Sequence, residues 1–175
     1  MPSLPSLQNG GTMTRILSKI VAIALACAVA TPAAAAQVSA VTSVNVVKPV
    51  SLTKLQDLDL GTLTFSSFTG TRTVVLSRPG VVTCAADIVC SGVTKAARFN
   101  VQGTNRLTVL ISYTGGTLSN GVDSIPLTPD GQASVTLTNS GFPGTDFDVG
   151  GSIQVSPDLV GGTYTGTMTV TANYQ

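Results

Sequence analysis

The chain has 175 residues, 43% of them hydrophobic and only 10% charged, with nine Lys+Arg set against eight acids that are all Asp. There is no His, Glu or Trp, which excludes a Ser-His-Asp or Cys-His relay and any imidazole ligand for a metal. A net charge of +1 without a basic cluster gives no electrostatic footprint for nucleic acid.

Residues 13–36, MTRILSKIVAIALACAVATPAAAA, have the pattern of an export signal. Arg15 and Lys19 supply the basic region, and Ile20 to Ala30 form an apolar run of eleven. Ala34 and Ala36 are the small residues a signal peptidase requires, so cleavage is expected before Gln37. The run is shorter than the roughly 20 residues a membrane-spanning helix needs, so no transmembrane segment is expected in the mature chain. Residues 1–12 are rich in Pro, Ser and Gly, and translation could start at Met1 or at Met13. Leu25-Ala26-Cys27 resembles part of a lipid-attachment box, but with Ala24 where the box wants Leu. The expected organisation is therefore 1–36 as extension and signal, 37–48 as an N-terminal strand, and 49–175 as one domain. The product is expected to cross the periplasm to the cell surface or beyond.

The mature segment of 139 residues contains 22 Thr, 20 Val and 4 Ile, so a third of it is β-branched and suited to pleated sheet. Only Cys84 and Cys90 remain after cleavage. In an oxidising compartment they read as one disulfide; a redox pair would favour C-x-x-C spacing. The same length can bury a proper core.

Period-two alternation recurs along the chain. In VSAVTSVNVV, Val38, Ala40, Thr42, Val44 and Val46 share one face, and Pro49 stops the run. LGTLTF (60–65), TRTVVLS (71–77), AARFNVQG (96–103) and LTVLISY (107–113) follow. GQASVTLTNSG (131–141), FDVGGSIQVS (147–156) and TYTGTMTVTANYQ (163–175) complete the set. Turn signals separate them at Arg78-Pro79-Gly80, Gly103-Thr104-Asn105, Thr114-Gly115-Gly116, Pro129-Asp130-Gly131 and Gly161-Gly162. No helical period is present, and about eight short strands at this spacing predict an all-β antiparallel sandwich or barrel.

Candidate chemistry is sparse. Asp57 and Asp59, on one face of an alternating strand, and Asp146 and Asp148, read as turn residues, are acid pairs without the further oxygens a calcium site needs. Gly150-Gly151 lacks the following helix of a phosphate cradle. Tyr113, Tyr164 and Tyr174 read as core or edge packing, with a glycan site as the alternative. Lys95 and Arg98 read as exposed strand charges. With no nucleophile, base or metal cluster assembled, no enzymatic activity and no cofactor are expected.

In the last strand Tyr164, Gly166, Met168, Val170, Ala172 and Tyr174 alternate with Thr and Asn, which gives one core face and one wet face. The strand runs to the penultimate residue, although chain ends usually fray unless tied down. Tyr174 next to the end, Gly162 fourteenth from it and the alternation between them resemble the C-terminal signature of chaperone–usher pilins. With DLDLGTL (57–63), AARFNVQG (96–103) and FDVGGSIQVSPDLVGGTYTGTMTVTANYQ (147–175), the chain resembles the bacterial family catalogued as domain of unknown function 4402 across most of 41–175. The resemblance implies an immunoglobulin-like sandwich in a fimbria- or pilus-like surface structure, related to chaperone–usher and spore-coat-type pilins. It supplies no catalytic residues. Common pilins span a longer sequence separation with their disulfide than Cys84 to Cys90.

The resemblance also implies partners: other copies or related pilins, a periplasmic chaperone and an outer-membrane usher. Such subunits leave a groove that a neighbour's extended segment fills. Gln37–Val47 is uncharged and suits that donor role through Val38, Ala40, Val44 and Val46, and it reads equally well as the subunit's own first strand. The expected function is a structural fibre subunit. The alternative is a monomeric surface or periplasmic binding module that recognises glycans.

Overall fold

β-branched and aromatic residues at alternate positions build twelve strands in the computed structural model, which describes residues 37–175. They are β1 (Ser51–Gln56), β2 (Thr62–Phe65), β3 (Arg72–Leu76), β4 (Val82–Thr83), β5 (Ile88–Ser91) and β6 (Ala97–Gln102), followed by β7 (Thr108–Thr114), β8 (Thr117–Ser119), β9 (Ser124–Asp130), β10 (Ser134–Thr136), β11 (Thr145–Val155) and β12 (Thr169–Tyr174). Every pairing is antiparallel, and no helix occurs among the described residues. The expected all-β sandwich is the architecture found.

One sheet runs β1-β6-β11-β3-β4, with β9 also on β11 and β8 on β9. The second is β10-β7-β12, and β2 with β5 forms a two-stranded ribbon. β11 organises the first sheet: Thr145–Val149 pairs with β6, Gly151–Val155 with β3, and Gly150–Ile153 with β9. Gly150 and Gly151 sit where these partners crowd the strand. A Cβ on Gly150 would strike the Leu76 carbonyl, so the pair serves close strand approach.

Inner faces alternate as the sequence predicts. Phe99 and Val101 of β6 and Phe147 and Val149 of β11 are buried against Val109 and Ile111 of β7, while Val74 of β3 is buried in a second cluster with Ile125, Leu127, Ile153 and Val155. Phe99 and Phe147 are directly cross-strand, with ring centroids 5.7 Å apart and stacked planes. On the outer face Asn100 is buried; its amide donates to Asp146 Oδ1 at 2.6 Å and to the Pro143 carbonyl at 3.0 Å.

Several local expectations are corrected. Val38–Val47 forms no strand despite its alternation, and the first strand of the domain is β1. A lone alternating segment has no ladder to join, and Pro49 separates it from β1. Asp57 and Asp59 lie beyond the end of β1, where Asp59 makes a backbone bridge to Lys95. Asp146 and Asp148 are strand residues of β11 rather than turn residues, and Asp148 pairs with Arg98 at 2.8 Å across the ladder. Pro129 and Asp130 belong to β9, not to a turn.

The C-terminal segment is not one regular strand. β12 pairs residue for residue with β7, from Tyr174 opposite Val109 to Thr169 opposite Thr114. Further back, Thr165 bridges Ser119, one residue out of that register, and Gly115-Gly116 lie at the slip. A Cβ on Gly116 would meet the Thr167 carbonyl. Thr163–Tyr174 therefore follows β7 and then β8 as an interrupted edge.

Candidate functional site

Two strand edges face one another across an open side of the sandwich. Among the described residues β1 pairs only with β6, and β12 pairs only with β7. Beside the end of β1 lies a groove of about 780 Å³, bounded on the other side by Gly161–Met168, the segment that leads into β12. One wall runs through Leu58, Leu60, Leu63 and Phe65, and the other through Gly162, Tyr164, Gly166 and Met168. Phe99, Ile125, Leu127, Ile153 and Val155 form the floor. Lys54, Asp57 and Asp59 rim the first wall.

The burial pattern shows how incomplete this side is. Floor residues Val155, Ile153 and Ile125 are buried, yet Tyr164 and Met168 on the wall are each only half-buried. Leu52 and Leu58 on the β1 side are half-buried as well. An ordinary sandwich covers both faces of its core, so this is an apolar cleft flanked by unsatisfied backbone edges. The sequence placed Gly162, Tyr164, Gly166, Met168, Val170 and Tyr174 on one face; the first four line the groove, whereas Val170 and Tyr174 pack further along against the core around Val109 and Ile111. It missed the opposite wall, because Asp57 and Asp59 read as the solvent face of an ordinary alternating strand, whereas Asp57–Gly61 lies outside any regular strand. The repeated Leu at 58, 60 and 63 was the available signal.

Each end of the C-terminal segment is tied by a tyrosine. Tyr174 donates its hydroxyl hydrogen to the Lys48 carbonyl at 2.7 Å and accepts the Thr104 N–H at 2.6 Å. Gly103 leaves the space for this ring, since a Cβ there would meet the Tyr174 hydroxyl. At the other end Tyr164 donates to the Val160 carbonyl at 2.6 Å. Val160 N–H in turn donates to Asp123 Oδ2 at 2.7 Å. Desolvation, reinforced by the Asp123 carboxylate, raises the Tyr164 hydroxyl above its ordinary pKa. Tyr113 lies elsewhere: its hydroxyl donates to the Gln132 carbonyl at 2.8 Å, and burial pushes its pKa up to about 12.

The opposite wall is backed by the disulfide. Cys84 and Cys90 are bonded to each other, with Cα atoms 6.3 Å apart. Cys90 lies in β5 directly opposite Leu63 of β2, so the bond braces the ribbon carrying Leu63 and Phe65. Of the other sequence candidates, Val38, Ala40, Val44 and Val46 lie in the segment without secondary structure, and Val44 and Val46 are 85% and 77% exposed. Neither Asp57 with Asp59 nor Asp146 with Asp148 belongs to a cluster of three or more metal-binding side chains among the described residues. Export-signal residues 13–36 lie outside the described residues.

Comparison with known proteins agrees with the sequence resemblance at the level of the family. No curated protein and no solved structure matches the chain. The profile of the family described as Domain of unknown function (DUF4402) matches residues 50–174, from just before β1 to the end of β12. The chain belongs to that family.

Proposed function

We propose that this chain is an exported structural subunit of a surface fibre, related to chaperone–usher pilins, whose groove receives an extended segment from another copy. One observation carries the reading: the apolar cleft lies between the open edge of β1 and the segment Gly161–Met168, which is tied to β8 by a single bridge at Thr165. That arrangement suits an added strand better than a compact ligand, because a strand satisfies backbone groups and apolar cleft together. A segment of suitable character is present in the same chain. Gln37–Val47 carries no charge, alternates its side chains and forms no strand. Its eleven residues would extend about 36 Å, more than enough to run past the groove wall Gly161–Met168.

The energetics are favourable in direction. Each Val drawn from water into the cleft contributes about 1.5 kcal/mol or more, and the added ladder satisfies main-chain groups on both edges. Before assembly, an exposed apolar cleft and open edges invite aggregation. A chaperone that covers the cleft in the periplasm and an outer-membrane usher are the partners this reading calls for. The role is structural rather than catalytic, and the surface or fimbrium is its destination.

The test is electrophoretic. Fibres held by an inserted strand survive detergent without boiling, so the full chain should run as a ladder of high-mass bands that collapses on heating. A single monomer band under both conditions would overturn the reading and favour the self-contained binding module.

A further inference from the structure

The two ends of the sandwich differ in a way that bears on how copies meet. Phe142 is 88% exposed in a chain with only eight aromatic residues. Its loop is held: Asn139 Oδ1 accepts the Gly144 N–H at 3.2 Å, Asn105 N–H donates to Ser140 Oγ at 3.0 Å, and Gly141 N–H donates to the Gly103 carbonyl at 3.0 Å. An exposed aromatic ring on a pinned loop is pre-organised for contact. The same end holds Lys48, whose N–H donates to Thr104 Oγ1 at 2.7 Å. It is therefore the end at which the residues preceding Lys48 join the body. Arg106, in the adjoining loop, is exposed there as well.

Strand register fixes what lies at the opposite end. β11 starts at Thr145, beside the Phe142 loop, and ends ten residues later at Val155, about 33 Å away. β9 pairs with the second half of β11, so the turn before Ser124 lies at the Val155 end. That turn presents Val122 at 76% exposure, and Asp123 ties it to Val160, which is 50% exposed. Asp158 sits in the turn that follows β11. One end thus combines an exposed Phe with Lys48, Arg106 and the exposed Asp146, a net positive margin. The other combines two exposed Val with Asp123, Asp158 and the Arg72–Asp87 ion pair opposite Val155, a net negative margin.

We propose that Phe142 of one copy seats on Val122 and Val160 of the next, as a body-to-body contact between consecutive copies of this chain. This rests on the fibre reading above. An open-ended fibre needs a heterologous contact between two different surfaces, and these two are apolar at the centre and opposite in charge at the margin. A donor segment rooted at Lys48 that entered the next groove at its Gly162 mouth would bring them together. Strand insertion alone would leave the bodies free to swing about the segment. This second contact fixes their angle.

The test uses the full chain carrying both Phe142→Cys and Val122→Cys, with a short bismaleimide applied to the assembled material before boiling. The two positions are too far apart in one copy to be bridged, so a link reports contact between copies. The expected result is loss of the monomer band after boiling and a covalent ladder, with neither single variant cross-linking. A heat-labile ladder that collapses wholly to monomer despite the reagent would overturn the Phe142 contact and leave strand insertion standing. Cross-linked dimers from Phe142→Cys alone would mean that like ends meet, and would overturn it as well. No heat-labile ladder even from the unaltered chain would remove the fibre reading itself.

Discussion

Tyr174 and Lys48 are 126 residues apart in sequence, and the hydroxyl of one donates to the carbonyl of the other at 2.7 Å. With the Thr104 N–H bonded to the same oxygen, one phenol ties the end of β12, the entry to β1 and the β6–β7 loop. Tyr174→Phe should keep the ring packing and orphan both backbone groups, costing about 1–3 kcal/mol. Tyr174→Ala should cost more, because the half-buried ring is lost too. Gly103→Ala should also destabilise, since the added methyl has no space beside that hydroxyl. Urea unfolding of the three variants checks this; equal stability of Tyr174→Phe and the parent would show the hydroxyl to be idle.

The alkaline limb of stability should depend on Tyr113. Its folded pKa is pushed up to about 12 from an ordinary 10 by burial, while the unfolded side chain ionises normally. The folded state therefore holds a proton that the unfolded chain has released between those values. Tyr113 supports the fold fully below pH 10, and that support falls away as pH rises towards 12. Tyrosinate absorbance in the native protein should include a component that appears only towards pH 12, and Tyr113→Phe should remove that component. A late component that persists unchanged in Tyr113→Phe would contradict this.

How far the sequence revealed the fold follows the same physics. β3, β6, β7 and β11 were legible because each buries one or both faces, so strict alternation or dense β-branching marks them. β1, with Lys54 and Gln56, was hidden because its outer side meets solvent and its neighbour across the groove is unpaired. β9 was hidden by its two prolines, Pro126 and Pro129, the second read as a turn residue, although β9 accommodates both. The segment from Tyr164 to Tyr174 was legible as one face. Its register slip at Gly115-Gly116 was not, because pairing across 50 residues leaves no local trace. The same limit misplaced Asp146 and Asp148, whose partners Asn100 and Arg98 come from β6.

The disulfide should matter for assembly more than for folding. Cys84 and Cys90 close a short loop, so removing the bond should cost about 2 kcal/mol or somewhat more. That loss is tolerable for a domain of this size, but β5 braces β2, and β2 carries Leu63 and Phe65 of the groove wall. Cys84→Ser with Cys90→Ser should therefore give a folded, less stable monomer that assembles poorly. Thiol titration of the unfolded, unreduced parent should find no free thiol among these two. Unimpaired assembly of the double variant would show that the wall needs no brace.

The donor assignment turns on which way two adjacent side chains face. Val44 lies on the apolar face of Gln37–Val47, and Ser43 lies on the other. Both precede β1, and neither belongs to a strand. Val44→Asp and Ser43→Asp add the same charge one residue apart, and in an extended segment neighbouring side chains point to opposite faces. Seated in a neighbour's groove, the Val44→Asp carboxylate would meet an apolar floor, at a cost of several kcal/mol or forced protonation. The Ser43→Asp carboxylate would remain in water. Both variants should unfold at the same urea concentration as the parent, because Val44 is 85% exposed. Only Val44→Asp should lose the heat-labile ladder. If Val44→Asp instead fails to fold, the segment is an internal strand of the subunit. If both variants form normal ladders, Val44 does not enter the groove and the donor must be sought elsewhere in the chain.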